Sequence, residues 1–333
     1  MHGFSLGRRT LFAATALGAL AAPFILKRAA FAQGAAGSAG KETPTASTGG
    51  KSATVKLGDF IVTIVSDGLR VADKPNETFG TDQPPEAVAA LLQKNFLPTD
   101  RFANGFSPVV VDTGSEVVLF DTGNGEAGRP AGTGYLLEGL RAAGYPPESI
   151  TLVVLTHMHG DHINGLMEGG KPAFPNARYV MGETELAFWK DPARVGTPAE
   201  GGHKAVLTNV VPLVEKATLI GDGADVVSGI TAMAAFGHSP GHMVFRVSSQ
   251  GKDLMLTADT ANHYVLSLQQ PDWQVKFDMD KEKAAASRRK VFDMVAAERL
   301  PFIGYHMPFP AVGYVEKQEA GYRFVPASYQ LYL

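Results

Sequence analysis

The sequence contains no cysteine. That absence excludes disulfide bonds, thiolate metal ligands and a cysteine nucleophile. An excess of positive charge is also absent, because the 333 residues carry a formal net charge of −3. A chain with this balance has no overall attraction for nucleic acid or for anionic membranes, so we expect neither as a partner. Fixed-period repeats are missing, and no glycine-rich phosphate-binding loop opens a helix after a strand.

The first 32 residues have the composition of an export signal, with four basic and no acidic residues. Arg8 and Arg9 precede an apolar run from Leu11 to Ile25, and Ala30-Phe31-Ala32 offers a small-residue cleavage site. An uncleaved anchor is the alternative, but a run of about 15 residues is shorter than the ~20 needed to cross a bilayer. We therefore predict that residues 1–32 are a twin-arginine signal peptide, recognised by the twin-arginine export machinery and then removed.

Export by this route implies a bacterial protein that is periplasmic or secreted and has no stable membrane anchor. Without the signal, 26 basic residues remain against 33 acidic ones, a net charge of −7. Residues 33–54 are rich in Gly, Ala, Ser and Thr and nearly lack large apolar side chains, which is typical of a flexible linker. The folded domain is therefore predicted to occupy residues 55–333. A homodimer is left open.

Hydrophobic patterning in the folded part predicts early strands, a middle with helices, further strands and a late helix. The predicted strands are 56–65, 106–112, 116–120, 152–155, 230–236, 243–248, 254–258 and 302–305, with two more in the tail. The predicted helices are 84–96, 133–143, 183–190, 203–215 and 281–300. This order lacks a regular strand–helix alternation and fits a layered α/β sandwich.

Metal-binding side chains are concentrated in the segment from Thr156 to His162, directly after the apolar run Leu152 to Leu155. Its potential ligands are His157, His159, Asp161 and His162. Imidazole and carboxylate groups suit Zn²⁺, Mn²⁺, Fe²⁺ or Co²⁺. The alternative is a polar loop that happens to be histidine-rich, but three of the nine histidines of the chain fall here. The spacing lets one metal take His157 and His159 and a second take Asp161 and His162.

Two metals need more ligands, and three later strand ends supply candidates. His242 follows the turn Pro240-Gly241 at the head of a strand, whereas His238 is expected to be structural or to support a ligand. Asp259 directly follows the strand 254–258, where its two carboxylate oxygens are placed to bridge two cations. The alternative is that Asp259 caps a following helix. His306 ends the strand 302–305, where a lone histidine would more often be packed in the core.

These segments resemble the metallo-β-lactamase-fold hydrolases. Thr156 to His162 matches their HxHxDH signature, and His242, Asp259 and His306 match the later motifs in order. The chain is most similar to the branch of methyl parathion hydrolases and acyl-homoserine-lactone lactonases. Further matching stretches are Leu57–Phe60, Ser66–Gly68, Asp121–Gly123, Ala173–Ala177 and Gly321–Pro326. The resemblance implies a four-layer αββα sandwich with two metals between its halves.

Carried over motif by motif, the resemblance assigns ligands to two metal ions, with zinc expected first and manganese, iron or cobalt as alternatives. The first metal would be held by His157, His159, His242 and Asp259. The second would be held by Asp161, His162, Asp259 and His306. Asp161 and Asp259 are thereby the predicted catalytic residues, with Asp161 also orienting a metal-bound hydroxide. Asp121 is predicted to lie behind the ligands, and Trp189 to line the substrate pocket or to be part of the core.

The resemblance favours hydrolysis of an ester-like bond by metal-bound hydroxide, in either a lactone or an organophosphate triester. Lactone opening suits such a site, because it needs one nucleophile and one group that stabilises the oxyanion. Two alternatives stay open: a sulfur dioxygenase-like oxidoreductase with one iron, and a metal-dependent binding protein without turnover. The complete set of seven ligands favours the hydrolase.

Overall fold

The structure is a computed structural model that describes residues 52–328. The predicted signal peptide, residues 1–32, lies outside the described residues, as do residues 33–51 of the predicted linker. The first strand begins at Ser52, so the linker was predicted too long by residues 52–54. Those residues pair with the following strand, Thr54 opposite Thr63, which composition alone does not indicate. Within residues 52–328, no helix is both long and apolar enough to cross a membrane.

Two seven-stranded sheets form the centre of the molecule. Sheet 1 has the strand order β1-β2-β5-β6-β7-β10-β11. Its strands are β1 (Ser52–Leu57), β2 (Phe60–Val65), β5 (Val109–Asp112), β6 (Val117–Phe120), β7 (Leu152–Leu155), β10 (Arg178–Gly182) and β11 (Ala217–Ile220). Strands β6, β7, β10 and β11 run parallel, so their carboxyl ends meet at one edge.

Sheet 2 contains the later strands in simple chain order. They are β12 (Asp225–Val227), β13 (Ile230–Ala234), β14 (Met243–Ser249), β15 (Lys252–Ala258), β16 (Phe302–Gly304), β17 (Val312–Lys317) and β18 (Tyr322–Pro326). Neighbours pair antiparallel except β15 and β16, which are parallel and end at the same edge. Two small hairpins lie outside the sheets: β3 (Gly68–Asp73) with β4 (Arg101–Phe106), and β8 (Met167–Glu168) with β9 (Lys171–Pro172).

Seven α-helices connect these strands in the described residues. They are α1 (Pro85–Lys94), α2 (Leu136–Ala142), α3 (Gly160–Ile163), α4 (Glu183–Lys190), α5 (Glu200–Asn209), α6 (Leu266–Gln269) and α7 (Lys281–Ala297). The predicted helix 203–215 is shorter than expected. After α5 the chain tightens into a 3₁₀ turn over Val211–Lys216, because Pro212 lacks the N–H that would continue an α-helix.

The layers follow from which side chains meet. Along β7, Leu152 and Val154 face sheet 2, whereas Val153 and Leu155 face the helices α2, α4 and α5. This burial on both faces explains the continuously apolar run. Phe120 of sheet 1 contacts Phe245 of sheet 2 with ring centroids 5.0 Å apart. Helix α7 covers the other face of sheet 2. The predicted four-layer αββα sandwich is therefore confirmed.

Two strand predictions were wrong at turns. The predicted strand 56–65 is a hairpin, because Gly58 takes φ +58° and the chain reverses before Phe60. The predicted strand 106–112 is interrupted at Pro108, which cannot donate a ladder hydrogen bond, and Phe106 belongs to β4 instead. Hairpin β3–β4 was missed, although it forms a wall beside the site.

Candidate metal centre

The candidate site lies where carboxyl ends of strands from both sheets meet. Sheet 1 contributes the loop after β7, which contains the predicted signature, and the residue after β6. Sheet 2 contributes the loop between β13 and β14 and the residues that follow β15 and β16. Hydrogen bonds cross between the halves here: Met243 N–H donates to Thr156 O over 3.0 Å, and Tyr305 Oη donates to Asp161 O over 2.6 Å. The topology thus brings together, at the ends of strands, residues up to about 150 positions apart in the sequence.

An acidic group of four ligand atoms lies on one side of this site. Its members are Asp161, His162, Asp259 and His306. Nε2 of His306 is 3.1 Å from Asp259 Oδ2 and 3.5 Å from Asp161 Oδ2. Nε2 of His162 is 3.3 Å from Asp259 Oδ1 and 3.6 Å from Asp161 Oδ2. These four residues are the set predicted for the second metal.

The acidic group has the properties expected of a site for a divalent cation. His162 Nε2 and Asp259 Oδ1 are both buried, and neither has a hydrogen-bond partner among residues 52–328. Buried polar atoms normally have a hydrogen-bond partner. Two neighbouring buried atoms without one are therefore expected at a position that a metal cation occupies. Asp161 is the most exposed member, with its side chain 25% accessible, so one side of the group is open to solvent.

A histidine group lies on the other side and consists of His157, His159 and His238. His159 Nδ1 is 3.1 Å from His157 Nε2 and 2.9 Å from His238 Nε2. Asp259 lies between the two groups, since its Oδ2 is also 3.3 Å from His238 Nε2. Three imidazole nitrogens and a shared carboxylate form a donor set that suits zinc.

The structure departs from the prediction at His238 and His242. His238 Nε2 faces the centre, whereas His242 Nε2 accepts a hydrogen bond of 3.1 Å from the Asp259 N–H. The opposite nitrogen of His242 bonds Ala235 O, which holds the ring in place next to His157. His238 thus lies with His157 and His159 in the histidine group, where the sequence placed His242, and the supporting role expected for His238 stays a prediction. The predicted ligand role of His242 stays a prediction.

Charge differs between the two groups. Burial, together with neighbouring histidines, lowers the pKa of His157 well below its ordinary value and lowers the pKa of His159 to about 3. These rings are therefore neutral and keep lone pairs free for a metal. In the acidic group, burial alone would lower the pKa of His162, but Asp259, Asp121 and Asp161 raise it well above the ordinary value. The surplus of carboxylates there favours a bound cation.

Asp121 lies behind His162 and contacts its outer nitrogen. Its Oδ2 accepts a hydrogen bond of 2.8 Å from His162 Nδ1, and Thr156 donates to both oxygens through its N–H and its hydroxyl. With Nδ1 bonded to Asp121, Nε2 of His162 is directed toward the candidate metal position. Asp121 adopts φ +60° at the end of β6, and Ala258 adopts φ +43° just before Asp259. Left-handed backbone at a residue other than glycine is costly and is often found at functional sites.

A buried ion pair orients His238. Asp278 Oδ1 bonds His238 Nδ1 over 2.9 Å, and Asp278 Oδ2 bonds Arg288 Nη2 over 2.8 Å. Burial alone would raise the pKa of Asp278, but the hydrogen bond from His238 and the charge of Arg288 lower it below its ordinary value. Arg288 also donates to Thr260 O and Pro271 O, so its guanidinium is held on three sides. Neither Asp278 nor Arg288 was found from the sequence.

Comparison with known proteins decides the family. The family model described as "Metallo-beta-lactamase superfamily" matches residues 106–301, which is more than half of the chain. The chain belongs to the metallo-beta-lactamase superfamily. The match begins at the end of β4 and ends before β16, so it includes both the signature loop and Asp259. The predicted family is confirmed.

Relatives of this superfamily member include lactonases. An N-acyl homoserine lactonase of Bacillus cereus is 24% identical over 188 residues, 56% of this chain and 64% of the relative. The N-acyl homoserine lactonase AiiA of Bacillus thuringiensis subsp. kurstaki is 25% identical over 169 residues, 50% of this chain and 60% of the relative. The chain therefore spans less than two thirds of the length of these relatives. The predicted similarity to the lactonase branch is confirmed.

Solved structures give a longer match. AidC, a dizinc quorum-quenching lactonase in complex with a product N-hexnoyl-L-homoserine, aligns with a TM-score of 0.77 and 26% identity. The alignment covers 85% of this chain and 99% of AidC. The hydrolase AbOPH aligns with a TM-score of 0.76 and 24% identity over 83% of this chain and 97% of AbOPH, which shows a shared fold.

Glu185 connects the two ligand loops of this superfamily member and was also missed. Its buried carboxylate accepts hydrogen bonds from Met158 N–H in the signature loop and from Ser239 Oγ and Gly241 N–H in the β13–β14 loop. A fourth bond comes from Trp189 Nε1 over 2.7 Å. Burial raises the pKa of Glu185, while these four bonds oppose the rise. A carboxylate on the apolar face of α4 is the signal that could have found it.

We expect Glu185→Gln to weaken the metal site. An amide can offer only one acceptor oxygen, so Gly241 or Met158 would be left facing an N–H group, at a cost of about 1–3 kcal/mol for each unpaired donor. Because one of the two ligand loops loses its anchor, metal affinity should fall roughly 10–100-fold. Titration of the metal-free protein with zinc measures this. Glu183→Gln, an exposed change on the same helix, is the control. Equal zinc affinity in both variants would contradict the anchoring role.

Trp189 is buried in the core, which is one of the two roles predicted for it, and it does not line the cavity described below. The side chain is 3% exposed, and its indole N–H requires an acceptor, which Glu185 supplies. The ring packs edge-on against His159 with centroids 5.9 Å apart. It therefore fixes a candidate ligand from behind.

A cavity of about 600 Å³ lies beside the acidic group, and Trp189 is not among the residues that line it. Hairpin β3–β4, the end of α1, the segment after Asp259 and the segment from His306 onward surround it. Its apolar lining includes Leu69, Val71, Leu92, Leu97, Phe102 and Phe309. His306 Nδ1 bonds Gly105 O of the hairpin over 2.8 Å, so the cavity begins at the acidic group. A mostly apolar cavity that starts at a cluster of titratable groups is typical of a substrate site.

Proposed function

We propose that this protein is a two-zinc hydrolase that opens lactones with an apolar substituent. One observation carries the proposal: the unpartnered pair His162 Nε2 and Asp259 Oδ1 lies beside the apolar cavity that His306 lines. The relatives support it, because AidC is a dizinc lactonase and the curated relatives are N-acyl homoserine lactonases.

The two groups of side chains would hold one zinc ion each, with Asp259 shared between them. His157, His159 and His238 would hold the first ion, with His242 as the alternative to His238. Asp161, His162 and His306 would hold the second. Two sites of this kind favour hydrolysis over the single-iron oxygenase alternative.

When bound, such a pair of cations polarises a carbonyl oxygen and lowers the pKa of water to near neutrality. The side chains of the protein orient the metal-binding histidines and transfer the proton. Asp121 and Asp278 hold His162 and His238 in fixed orientations. Asp161, the most exposed carboxylate of the acidic group, would accept a proton from the attacking water at the oxygen that does not hold the ion and return it to the leaving alkoxide.

The shape of the cavity favours a lactone over a compact phosphotriester. A lactone ring at the acidic group leaves its substituent free to extend along the hairpin β3–β4, where the lining is apolar. Each buried methylene stabilises the bound state by about 0.8 kcal/mol, which is about fourfold in kcat/KM. A phosphotriester with short alkyl groups would leave much of this surface unused.

A substrate panel with metal analysis tests the proposal. Purified protein is expected to contain two zinc ions per chain and to open γ-lactones, with kcat/KM rising as the alkyl substituent lengthens. Chelation should abolish the activity, and Zn²⁺, Mn²⁺ or Co²⁺ should restore it. Faster turnover of a dialkyl aryl phosphotriester than of every lactone would overturn the substrate class. One redox-active iron per chain, or no turnover of any ester, would overturn the hydrolase itself.

A further inference from the structure

Two candidate ligands, Asp161 and His162, share the single turn of helix α3, Gly160–Ile163. In so short a helix the carbonyl groups near the end have no partner further along the helix and need a donor from outside. The N–H of Gly165, which would bond Asp161 O in a longer helix, bonds Gly123 O instead over 3.2 Å. The backbone of both candidate ligands is therefore held by other elements of the fold.

The two carbonyl groups receive different donors. His162 O accepts from the N–H of Thr122 over 2.7 Å and from its hydroxyl over 2.8 Å. Asp161 O accepts from Tyr305 Oη over 2.6 Å. Thr122 follows β6 and belongs to the same half of the sandwich as α3, whereas Tyr305 follows β16 of sheet 2. Through the Tyr305 hydroxyl, the second half of the molecule thus fixes Asp161 in the first.

Tyr305 is itself firmly placed. Its N–H donates to Ala258 O over 3.2 Å, directly before Asp259 in the chain. The side chain is buried, and its ring lies tilted against His162 with centroids 3.9 Å apart. Burial, together with neighbouring carboxylates, raises the pKa of Tyr305 well above its ordinary value, so the hydroxyl keeps the proton that it donates. A rigid, neutral donor therefore faces Asp161 O.

The Asp161 side chain has little other support. It is 25% accessible, whereas the side chains of the other three members of the acidic group are at most 3% accessible. Nε2 of His306 and Nε2 of His162 lie 3.5 and 3.6 Å from Asp161 Oδ2, which is too far for a good hydrogen bond. The position of the backbone therefore determines where this carboxylate lies.

We propose that Tyr305 is a positioning residue for the second metal ion and for proton transfer at Asp161. Its hydroxyl fixes the backbone of Asp161, and its ring lies against His162, so both side chains keep the orientation in which they face Asp259. Tyr305 acts through these two side chains and takes no part in bond cleavage. The inference rests on the proposed two-zinc hydrolase function and adds a residue to it.

The contacts of Tyr305 make its expected effect selective. Within residues 52–328, its ring contacts are with Phe106, His162 and His306, and none is with the histidine group. Tyr305 is also not among the residues that line the 600 Å³ cavity. Loss of the hydroxyl should therefore weaken one metal ion and slow the chemical step, while the other ion and the binding of substrate are retained.

Tyr305→Phe tests this role, because it removes the hydroxyl and keeps the ring. Calorimetric titration of the metal-free protein with zinc gives two dissociation constants. One constant is expected to rise about 10-fold or more, and the other to stay within about twofold of the wild-type value. With excess zinc, kcat for lactone opening should fall about 10–100-fold, and KM should change by less than about twofold.

Tyr322→Phe is the matched control. Tyr322 is also buried, and its hydroxyl donates to Asp293 Oδ1 over 2.7 Å, but the residue lies in β18, away from the acidic group and the cavity. This variant should keep both zinc dissociation constants, kcat and KM. A crystal structure of the zinc-bound wild-type protein is a check that needs no variant, and Tyr305 Oη should still bond Asp161 O in it.

The outcomes separate the positioning role from the proposed function. A wild-type protein that binds fewer than two zinc ions, or opens no lactone, overturns the proposed function. If the wild type does both and Tyr305→Phe matches it in kcat and in both zinc constants, the positioning role is wrong. The role is equally wrong if both zinc constants rise by the same factor, because the hydroxyl would then stabilise the whole site. A zinc-bound structure without the bond to Asp161 O would also contradict it.

Discussion

Asp259→Ala is expected to remove both zinc ions and to reduce lactone hydrolysis by at least about a thousandfold. The reason is that Asp259 is shared. Its Oδ2 lies 3.1 Å from His306 and 3.3 Å from His238, and its Oδ1 lies 3.3 Å from His162. Burial alone would raise the pKa of Asp259, but His306 and His162 hold it well below its ordinary value, so the carboxylate is ionised at neutral pH. Elemental analysis after dialysis measures zinc per chain.

The control for this change is Asp225→Ala, which removes an exposed carboxylate from β12. It should keep two zinc ions and the wild-type kcat/KM. The bridging role of Asp259 would be refuted by an Asp259→Ala protein that keeps two tightly held zinc ions. Loss of only one ion would place Asp259 in a single group and contradict the shared carboxylate.

Arg288→Met should cause the largest loss of stability. The change leaves Asp278 buried without its cationic partner, and breaking a buried ion pair in this way costs about 3–5 kcal/mol. Thr260 O and Pro271 O also lose their donor. Because Asp278 orients His238, weaker zinc binding should accompany the loss. Chemical denaturation of the metal-free protein gives the free energy of unfolding, and a zinc titration gives the affinity.

The neighbouring residue supplies a matched control. Arg289 pairs with Asp272 on the surface, where both side chains are largely exposed. An exposed pair contributes about 0–1 kcal/mol, so Arg289→Met should leave the unfolding free energy nearly unchanged. If the two variants are equally stable, the buried network does not stabilise the fold in the way described.

The site was predictable wherever its chemistry is local in the sequence. Four candidate ligands within Thr156–His162 follow a strand that is buried on both faces, and both properties can be recognised without a structure. The acidic group was predicted completely, since Asp259 and His306 each end an apolar strand. Their convergence follows from the parallel pairing of β15 with β16 and of β6 with β7.

The remainder depends on contacts between distant segments. His238 and His242 belong to one loop, and only the bonds of His238 to Asp278 and of His242 to Ala235 O and Asp259 N–H decide which nitrogen faces the centre. Glu185 and Arg288 are charged residues on apolar helix faces. Periodicity marks such positions as unusual, but their partners, 27 and 10 residues away along the chain, cannot be identified from spacing.

The cavity wall and the zinc-binding side chains come from different parts of the chain. The ligands follow strands of the two central sheets, whereas the apolar wall is formed largely by hairpin β3–β4 and the end of α1, outside both sheets. A single hydrogen bond between His306 and Gly105 O links hairpin and ligand. Substitutions in the hairpin can therefore alter which tails are accepted while the chemistry stays intact.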